Sequence, residues 1–145
     1  LVDVSKDEKQ NKVKKGDIFF TTSSETPNEV AYSSVILEEI DEVYLNSFCF
    51  GMRLNSHEEV SPSFARHLFR DQRFRKIIFP LAQGSTRYNI SKTNMMKLNV
   101  EIPSILEQNK ISNILDAIEE KLSLNNKVIE KTQTFKKGLL QQMFV

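Results

Sequence analysis

The sequence predicts an α+β fold, in which a small mixed α/β domain in residues 1–105 is followed by one long, coiled-coil-forming α-helix in residues 106–145. Two observations support this prediction. Residues 1–105 alternate short apolar runs with turn residues, a texture typical of short strands and helices. Residues 106–145 contain no proline and repeat apolar residues at spacings of four and three, a pattern typical of a helix that pairs with another helix.

The first elements predicted along the chain are strands. Lys14–Asp17 is expected to form a turn that leads into a strand at Ile18–Thr21, and Thr22–Asn28 a polar loop. Short apolar runs predict three more strands, the last two joined by a turn at Asn46-Ser47. These strands are Val35–Leu37, Val43–Leu45 and Phe48–Leu54.

Two helices are predicted next. Ser61 is a possible N-cap and Pro62 suits the first helical position, so residues 63–70 should be helical. A second helix is predicted over 71–82, ending before Gly84. A loop at 83–91 and a short strand over Val100–Ile102, stopped by Pro103, complete the first region.

The terminal helix carries the clearest pattern. At 1.5 Å per residue, the stretch 107–142 would be roughly 54 Å long, too long to bury its apolar stripe without a partner helix. The alternative is an ordinary core helix packed on residues 1–105. Asn125 and Thr132 at seam positions should fix the register of pairing. The seam runs through Ile111, Leu115, Ile118, Leu122, Asn125, Ile129 and Thr132, then slips in phase to Phe135 and Leu139.

Composition narrows the class of protein. The chain has 145 residues, is 39% hydrophobic and 27% charged, and has no apolar run long enough to span a membrane. Its start, which is not Met, shows no secretory signal, and we expect the native N-terminus to be missing. Cys49 is expected to be a small core residue, and His57 and His67 lack the spacing of metal ligands. This usage fits a reducing, cytoplasmic setting without a bound metal.

Charge is unevenly distributed although the net charge is only +1. Residues 25–59 hold eight acids against Arg53 alone, a balance of −7. Residues 66–97 hold eight bases against Asp71 alone, a balance of +7. A chain divided in this way can present one basic face to a partner such as nucleic acid.

No catalytic constellation is visible, since there is no serine–histidine–aspartate signature, phosphate loop or dinucleotide turn. Binding is therefore the favoured activity. The best candidate is the loop from Gln83 to Ser91, directly after the basic helical segment. Glycine permits close backbone approach, hydroxyls donate to phosphates, arginine reads guanine or neutralises phosphate, and amides suit adenine. The candidate DNA contacts here are Gln83, Gly84, Ser85, Thr86, Arg87 and Asn89.

Two further segments are candidates for the same surface. Arg73, Arg75 and Lys76 are expected to face phosphates. The hydroxyl-rich residues Thr22-Ser23-Ser24 belong to a loop of a kind that often carries recognition. Each prediction has an alternative. The basic residues could form a solvated helix face, and Thr22–Ser24 an ordinary turn. The loop from Gln83 to Ser91 could be a structural loop whose Arg87 pairs with an acid.

Several strings of the sequence, taken together and in this order, resemble one known family, the specificity (S) subunits of type I restriction–modification systems. The resemblance covers nearly the whole chain. The strings are Lys15-Gly16-Asp17-Ile18, Tyr44-Leu45-Asn46, the run Ala82 to Ser91, Leu98 to Pro103, Glu107 to Ile111, and the ending Lys136 to Phe144.

The resemblance implies a function. Such subunits have two target recognition domains, each reading one half of a bipartite double-stranded DNA site, and two long helices that pair antiparallel and hold the readers apart. They have no catalytic site. They dock modification (methyltransferase) subunits, and restriction subunits join that core. S-adenosylmethionine, ATP and Mg are expected on these partner subunits only, so no cofactor is expected here.

This sequence departs from that pattern because it holds one recognition domain, lacking its first part, and one helix. Because its ending resembles the last residues of such a subunit, we expect it to be a C-terminal half. Its helix is expected to pair with a second copy or a second repeat, giving a dimer in the first case. The competing class is a coiled-coil scaffold with no nucleic-acid role, which steep salt dependence of DNA binding would exclude. A catalytic domain would need residues that the sequence does not show.

Overall fold

The computed structural model describes residues 11–55 and 59–144. The start of the chain, His57 and Glu58 lie outside the described residues. The chain divides into two compact units, Leu1–Asn109 and Lys110–Val145. The predicted α+β class is confirmed. The elements are β1 Ile18–Thr21, β2 Ser23–Ser24, β3 Ser33–Val35, β4 Cys49–Met52, α1 Pro62–Leu68, α2 Gln72–Ile78, a 3₁₀ turn Phe79–Leu81, β5 Tyr88–Asn89, α3 Lys92–Met95 and α4 Ile105–Met143.

A three-stranded antiparallel sheet forms the centre of the first unit, with β1 between β3 and β4. Side chains alternate between the two faces of a strand. Ile18 and Phe20 are fully buried, whereas Phe19 lies on the other face, opposite Gly51 of β4. The sheet therefore has a core face and an outer face.

Aromatic side chains join the core face of the sheet to the helices. The Phe20 ring lies 5.5 Å from that of Phe50 and 5.2 Å from that of Phe69, the latter edge to face. Phe69 in turn meets Phe74 of α2 at 5.0 Å between ring centres. Such offset and edge-on pairs stabilise a core beyond the area that they bury.

The strand at Ile18–Thr21 is confirmed residue for residue, and the predicted Phe48–Leu54 strand is present as the shorter β4. The prediction of a strand at Val43–Leu45 was wrong, because that stretch forms only an isolated bridge between Tyr44 and Lys12. Val100–Ile102 is also not a strand. An apolar run becomes a strand only where a neighbouring strand accepts its hydrogen bonds, and sequence alone does not reveal that neighbour.

The second helix is shorter than predicted because proline interrupts it. It begins after Asp71, whose carboxylate accepts a 2.8 Å hydrogen bond from the Arg73 amide, and it ends at Ile78. Pro80 has no amide hydrogen and restricts the residue before it, so the chain continues as the 3₁₀ turn. Ser61 occupies the N-cap of α1, but its side chain makes no capping hydrogen bond.

The turn before β1 is held by a buried carboxylate. Asp17 is only 4% exposed and accepts two 2.6 Å hydrogen bonds from the Arg53 guanidinium and one of 2.8 Å from the Lys14 amide. The Arg53 guanidinium holds the pKa of Asp17 below its ordinary value. Gly16 supplies the left-handed backbone conformation (φ 87°) that this tight turn requires.

The start of α4 is fastened by polar contacts within the first unit. Glu107 accepts hydrogen bonds from the amide and hydroxyl of Ser104, which lower the pKa of the Glu107 carboxyl. Gln108 is fully buried, and its amide group donates to the carbonyls of Glu59 and Pro103 while accepting from the Ser61 amide. These contacts make the first turn of α4 part of the first unit.

The long helix itself is confirmed and runs for 39 residues. Most of the residues predicted to form the pairing seam are exposed to solvent, including Ile118, which is 49% exposed, and Leu122, which is 56% exposed. Among the described residues, no helix is long and apolar enough to cross a membrane.

Candidate nucleic-acid interface

The predicted recognition loop is a closed structure whose ends are joined by backbone hydrogen bonds. The Gln83 amide donates to the Asn89 carbonyl at 2.9 Å, and the Asn89 amide donates to the Gln83 carbonyl at 2.8 Å. Gly84 follows Gln83 and has a backbone φ of 139°, a conformation that residues with a side chain rarely adopt. The loop therefore projects five residues, 84–88, from a fixed base.

A second predicted segment lies beside this loop. Strand β2 pairs antiparallel with β5, which sets Ser23 opposite Asn89 and Ser24 opposite Tyr88. The Ile90 amide extends the pairing by donating to the Thr22 carbonyl at 3.0 Å. The structure thus brings the Thr22–Ser24 and Gln83–Asn89 candidates together on one two-stranded ribbon.

Several polar side chains of this ribbon stabilise its own conformation. The Thr22 hydroxyl donates to the Phe48 carbonyl at 2.9 Å, and the Ser24 hydroxyl donates to the Glu29 carboxylate at 2.9 Å. The Asn89 side-chain amide donates to the Arg87 carbonyl at 3.1 Å. These groups shape the loops, and a role in reading bases would come in addition to that.

Other loop side chains point outward. Gln83, Ser85, Thr86 and Arg87 are all exposed. Together they offer a guanidinium, a primary amide and two hydroxyls from a short backbone arch. This donor set suits a duplex, since guanidinium and amide groups match base edges and hydroxyls match phosphate oxygens.

The three basic residues of α2 that were predicted to contact phosphates differ in their surroundings. Arg73 and Lys76 are exposed, as a phosphate contact requires. Arg75 instead turns toward the loop before β3, where its guanidinium donates to the carbonyls of Asn28, Val30 (2.7 Å) and Ala31 (3.1 Å). Burial lowers the pKa of Arg75, which nonetheless stays charged because arginine ionises far above neutrality.

This role of Arg75 differs from the predicted phosphate contact. Nothing in the sequence indicates it. Its partners are backbone carbonyls far earlier in the chain, and any residue supplies a carbonyl. Arg70 is similar, since its Nε donates to the Ser33 carbonyl at 2.9 Å and its guanidinium lies 5.0 Å from the centre of the Tyr32 ring. The basic segment therefore contributes to folding as well as to surface charge.

Cys49 was predicted to be a core residue, but it lies on the outer face of the sheet, opposite Thr21, and is only partly buried. Burial raises the pKa of its thiol. The alternation along β4 places Phe50, not Cys49, in the core.

Comparison with known proteins gives two findings. Residues 2–133 match the family described as the type I restriction modification DNA specificity domain. The fold is similar to that in the crystal structure of a type I restriction–modification system S subunit from M. genitalium, with a TM-score of 0.61 and 22% sequence identity. That similarity covers 79% of this chain and 28% of the M. genitalium chain.

Proposed function

Because this chain belongs to the family of type I restriction modification DNA specificity domains, we propose that it reads one half of a bipartite site in double-stranded DNA. The observation that carries the proposal is the pairing of β2 with β5, which joins two polar loops into one surface. Recognition, not catalysis, is the proposed activity. The family match gives no support to a coiled-coil scaffold without a nucleic-acid role.

The proposed reading surface combines specificity with positioning. Arg87 and Gln83 are the side chains proposed to contact base edges, and Ser85 and Thr86 the hydroxyls proposed to contact phosphates. Arg73 and Lys76 would add sequence-independent attraction from α2. We propose that modification subunits, which carry S-adenosylmethionine, and restriction subunits, which use ATP and Mg, bind the complete specificity subunit.

Replacing Arg87 with alanine tests this surface. If Arg87 reads a base, the variant should lose about 1–3 kcal/mol of affinity for the preferred half-site and bind other duplexes almost as before. The preferred half-site is first selected from a pool of randomised duplexes with the 145-residue chain, and affinities are then measured by fluorescence anisotropy.

Arg73→Ala is the matched control, because it removes the same exposed side chain from a position proposed to contact phosphate. It should weaken binding to all duplexes in equal proportion. An equal loss for all duplexes with Arg87→Ala would make Arg87 a phosphate contact. Unchanged affinity would remove Arg87 from the surface.

For the helix α4, we propose pairing with the same helix of a second copy, or with a second repeat in a longer subunit. The seam of exposed apolar residues supports this, since Leu122 and Ile129 are 56% and 52% exposed in the single chain. The remaining proposed pairing residues are Ile111, Leu115, Ile118 and Asn125. Such a pair would set the distance between two recognition domains.

Ile118→Asp is expected to weaken self-association of the chain about tenfold or more, because pairing would bury an unpartnered carboxylate. Sedimentation equilibrium measures the dissociation constant. Ser123→Asp adds the same charge away from the seam and should leave association unchanged. A wild-type chain that stays monomeric at tens of micromolar would contradict pairing with a second copy.

A further inference from the structure

A groove of about 570 Å³ lies against the outer face of the three-stranded sheet, on the side opposite the aromatic core. Its charged lining residues are four bases and one acid, a balance of +3. The bases are Lys12, Lys14, Arg53 and Lys92, and the acid is Asp17. The ammonium groups of the three lysines make no hydrogen bond or ion pair with the described residues.

On the groove side of the sheet an aromatic ring packs closely over a glycine. Gly51 lies opposite Phe19, and a Cβ added at Gly51 would stand 3.3 Å from the Phe19 ring and 3.4 Å from the Leu45 side chain. A larger residue would push these walls outward. Phe19 and Gly51 therefore form an apolar floor of the groove, whose other lining residues include the four bases.

The single acid in the lining does not neutralise the lysines. Both oxygens of the Asp17 carboxylate are occupied by Arg53 at 2.6 Å, and one of them also accepts from the Lys14 amide. The Arg53 side chain is still 51% exposed. Lys12, Lys14 and Lys92 are exposed as well. Their ammonium groups are available to an anion that enters the groove.

The groove is continuous with the reading surface. Cys49, one of its wall residues, pairs with Thr21, and the Thr22 amide donates to the Phe48 carbonyl at 2.9 Å. The Thr22 carbonyl then accepts from Ile90, two residues before Lys92. Strand β4 and the β2–β5 ribbon are thus adjacent, which places the groove beside the proposed reading surface.

We propose that this groove binds the phosphate backbone of the DNA duplex next to the half-site, with Lys12, Lys14 and Lys92 as the phosphate contacts. Lysine is a flexible point charge that suits phosphate better than base edges, so these contacts carry affinity and not sequence preference. The Phe19 floor would lie beneath the deoxyribose groups. The proposal rests on the proposed DNA recognition and adds a second contact surface to it.

The test compares two double variants of the 145-residue chain with equal charge. Lys14→Ala with Lys92→Ala removes two lysines of the groove. Lys15→Ala with Lys97→Ala removes two exposed lysines that do not line it, one of them adjacent in sequence to Lys14. Binding to a selected duplex and to an unrelated duplex is measured over a range of salt concentrations. All four side chains are exposed and none makes a described ion pair, so both variants should fold.

We expect the groove variant to lower the slope of log affinity against log salt by about two for both duplexes, and the control variant to leave the slope unchanged. Equal slopes for the two variants would overturn the groove and leave DNA reading by the loops intact. A wild-type chain that binds no duplex, or that prefers RNA, would overturn both proposals.

Discussion

Gly84→Ala is expected to disrupt the loop between Gln83 and Asn89, which is proposed to read DNA. A Cβ at this position would stand 2.0 Å from the Arg87 carbonyl oxygen and 2.9 Å from its carbonyl carbon, both backbone atoms. The backbone φ of 139° is itself unfavourable for alanine. The loop must therefore rearrange, and we expect the free energy of unfolding to fall by about 3 kcal/mol.

Hydrogen exchange at the Gln83 and Asn89 amides measures this effect directly, because their two mutual hydrogen bonds close the loop. Both amides should lose protection, and selective binding of the preferred half-site should disappear. Gly138→Ala is the control. Gly138 lies in the C-terminal part of α4 and a Cβ there would meet nothing within 4 Å, so alanine should stabilise the helix by about 0.5–1 kcal/mol. Unchanged protection in Gly84→Ala would show that the loop has another conformation.

Arg75→Ala is expected to destabilise the recognition domain by about 3 kcal/mol. The Arg75 guanidinium donates to three carbonyls of the segment Asn28–Ala31. Removing it takes the charged donor from two part-buried carbonyls, those of Val30 and Ala31, and hydrogen bonds to a charged donor are among the stronger ones. Ala31 is fully buried with φ 54°, a left-handed conformation that costs an alanine about 1 kcal/mol and that Arg75 stabilises.

Urea unfolding followed by circular dichroism measures the loss. Arg75→Lys should restore only part of the stability, because a single ammonium does not reproduce the planar fork that reaches several carbonyls. Lys76→Ala, next in sequence but exposed, should change the free energy of unfolding by less than about 0.5 kcal/mol. Equal stability of the Arg75→Ala and Lys76→Ala chains would contradict the structural role given to Arg75.

Gly84 and Arg75 act on the same surface through different parts of the chain. Gly84 shapes the loop that carries Arg87, whereas Arg75 holds the segment that follows β2 in the chain. Strand β2 is the neighbour of β5, so loss of either residue should disturb the β2–β5 ribbon. A stability loss in Arg75→Ala is therefore expected to be accompanied by weaker DNA binding even though Arg75 makes no proposed DNA contact.

What the sequence determined by itself is local. The long helix followed from the repeat of apolar residues at spacings of four and three, which needs no knowledge of the rest of the molecule. Strand β1 and the glycine turn before it were predicted for the same reason, since Lys14–Asp17 and Ile18–Thr21 carry their own signals. The loop at 83–91 was recognisable from its glycine and polar residues.

The tertiary structure alone decided which of these segments are neighbours. Nothing in the sequences Ser23-Ser24 and Tyr88-Asn89 indicates that these segments pair. Strands of two residues are too short to show periodicity, and their hydrogen bonds join backbone groups that every residue has. For the same reason Arg75 was predicted to face phosphate although it binds carbonyls. Local pattern determines an element, but long-range backbone hydrogen bonding determines which side chains remain exposed on the surface.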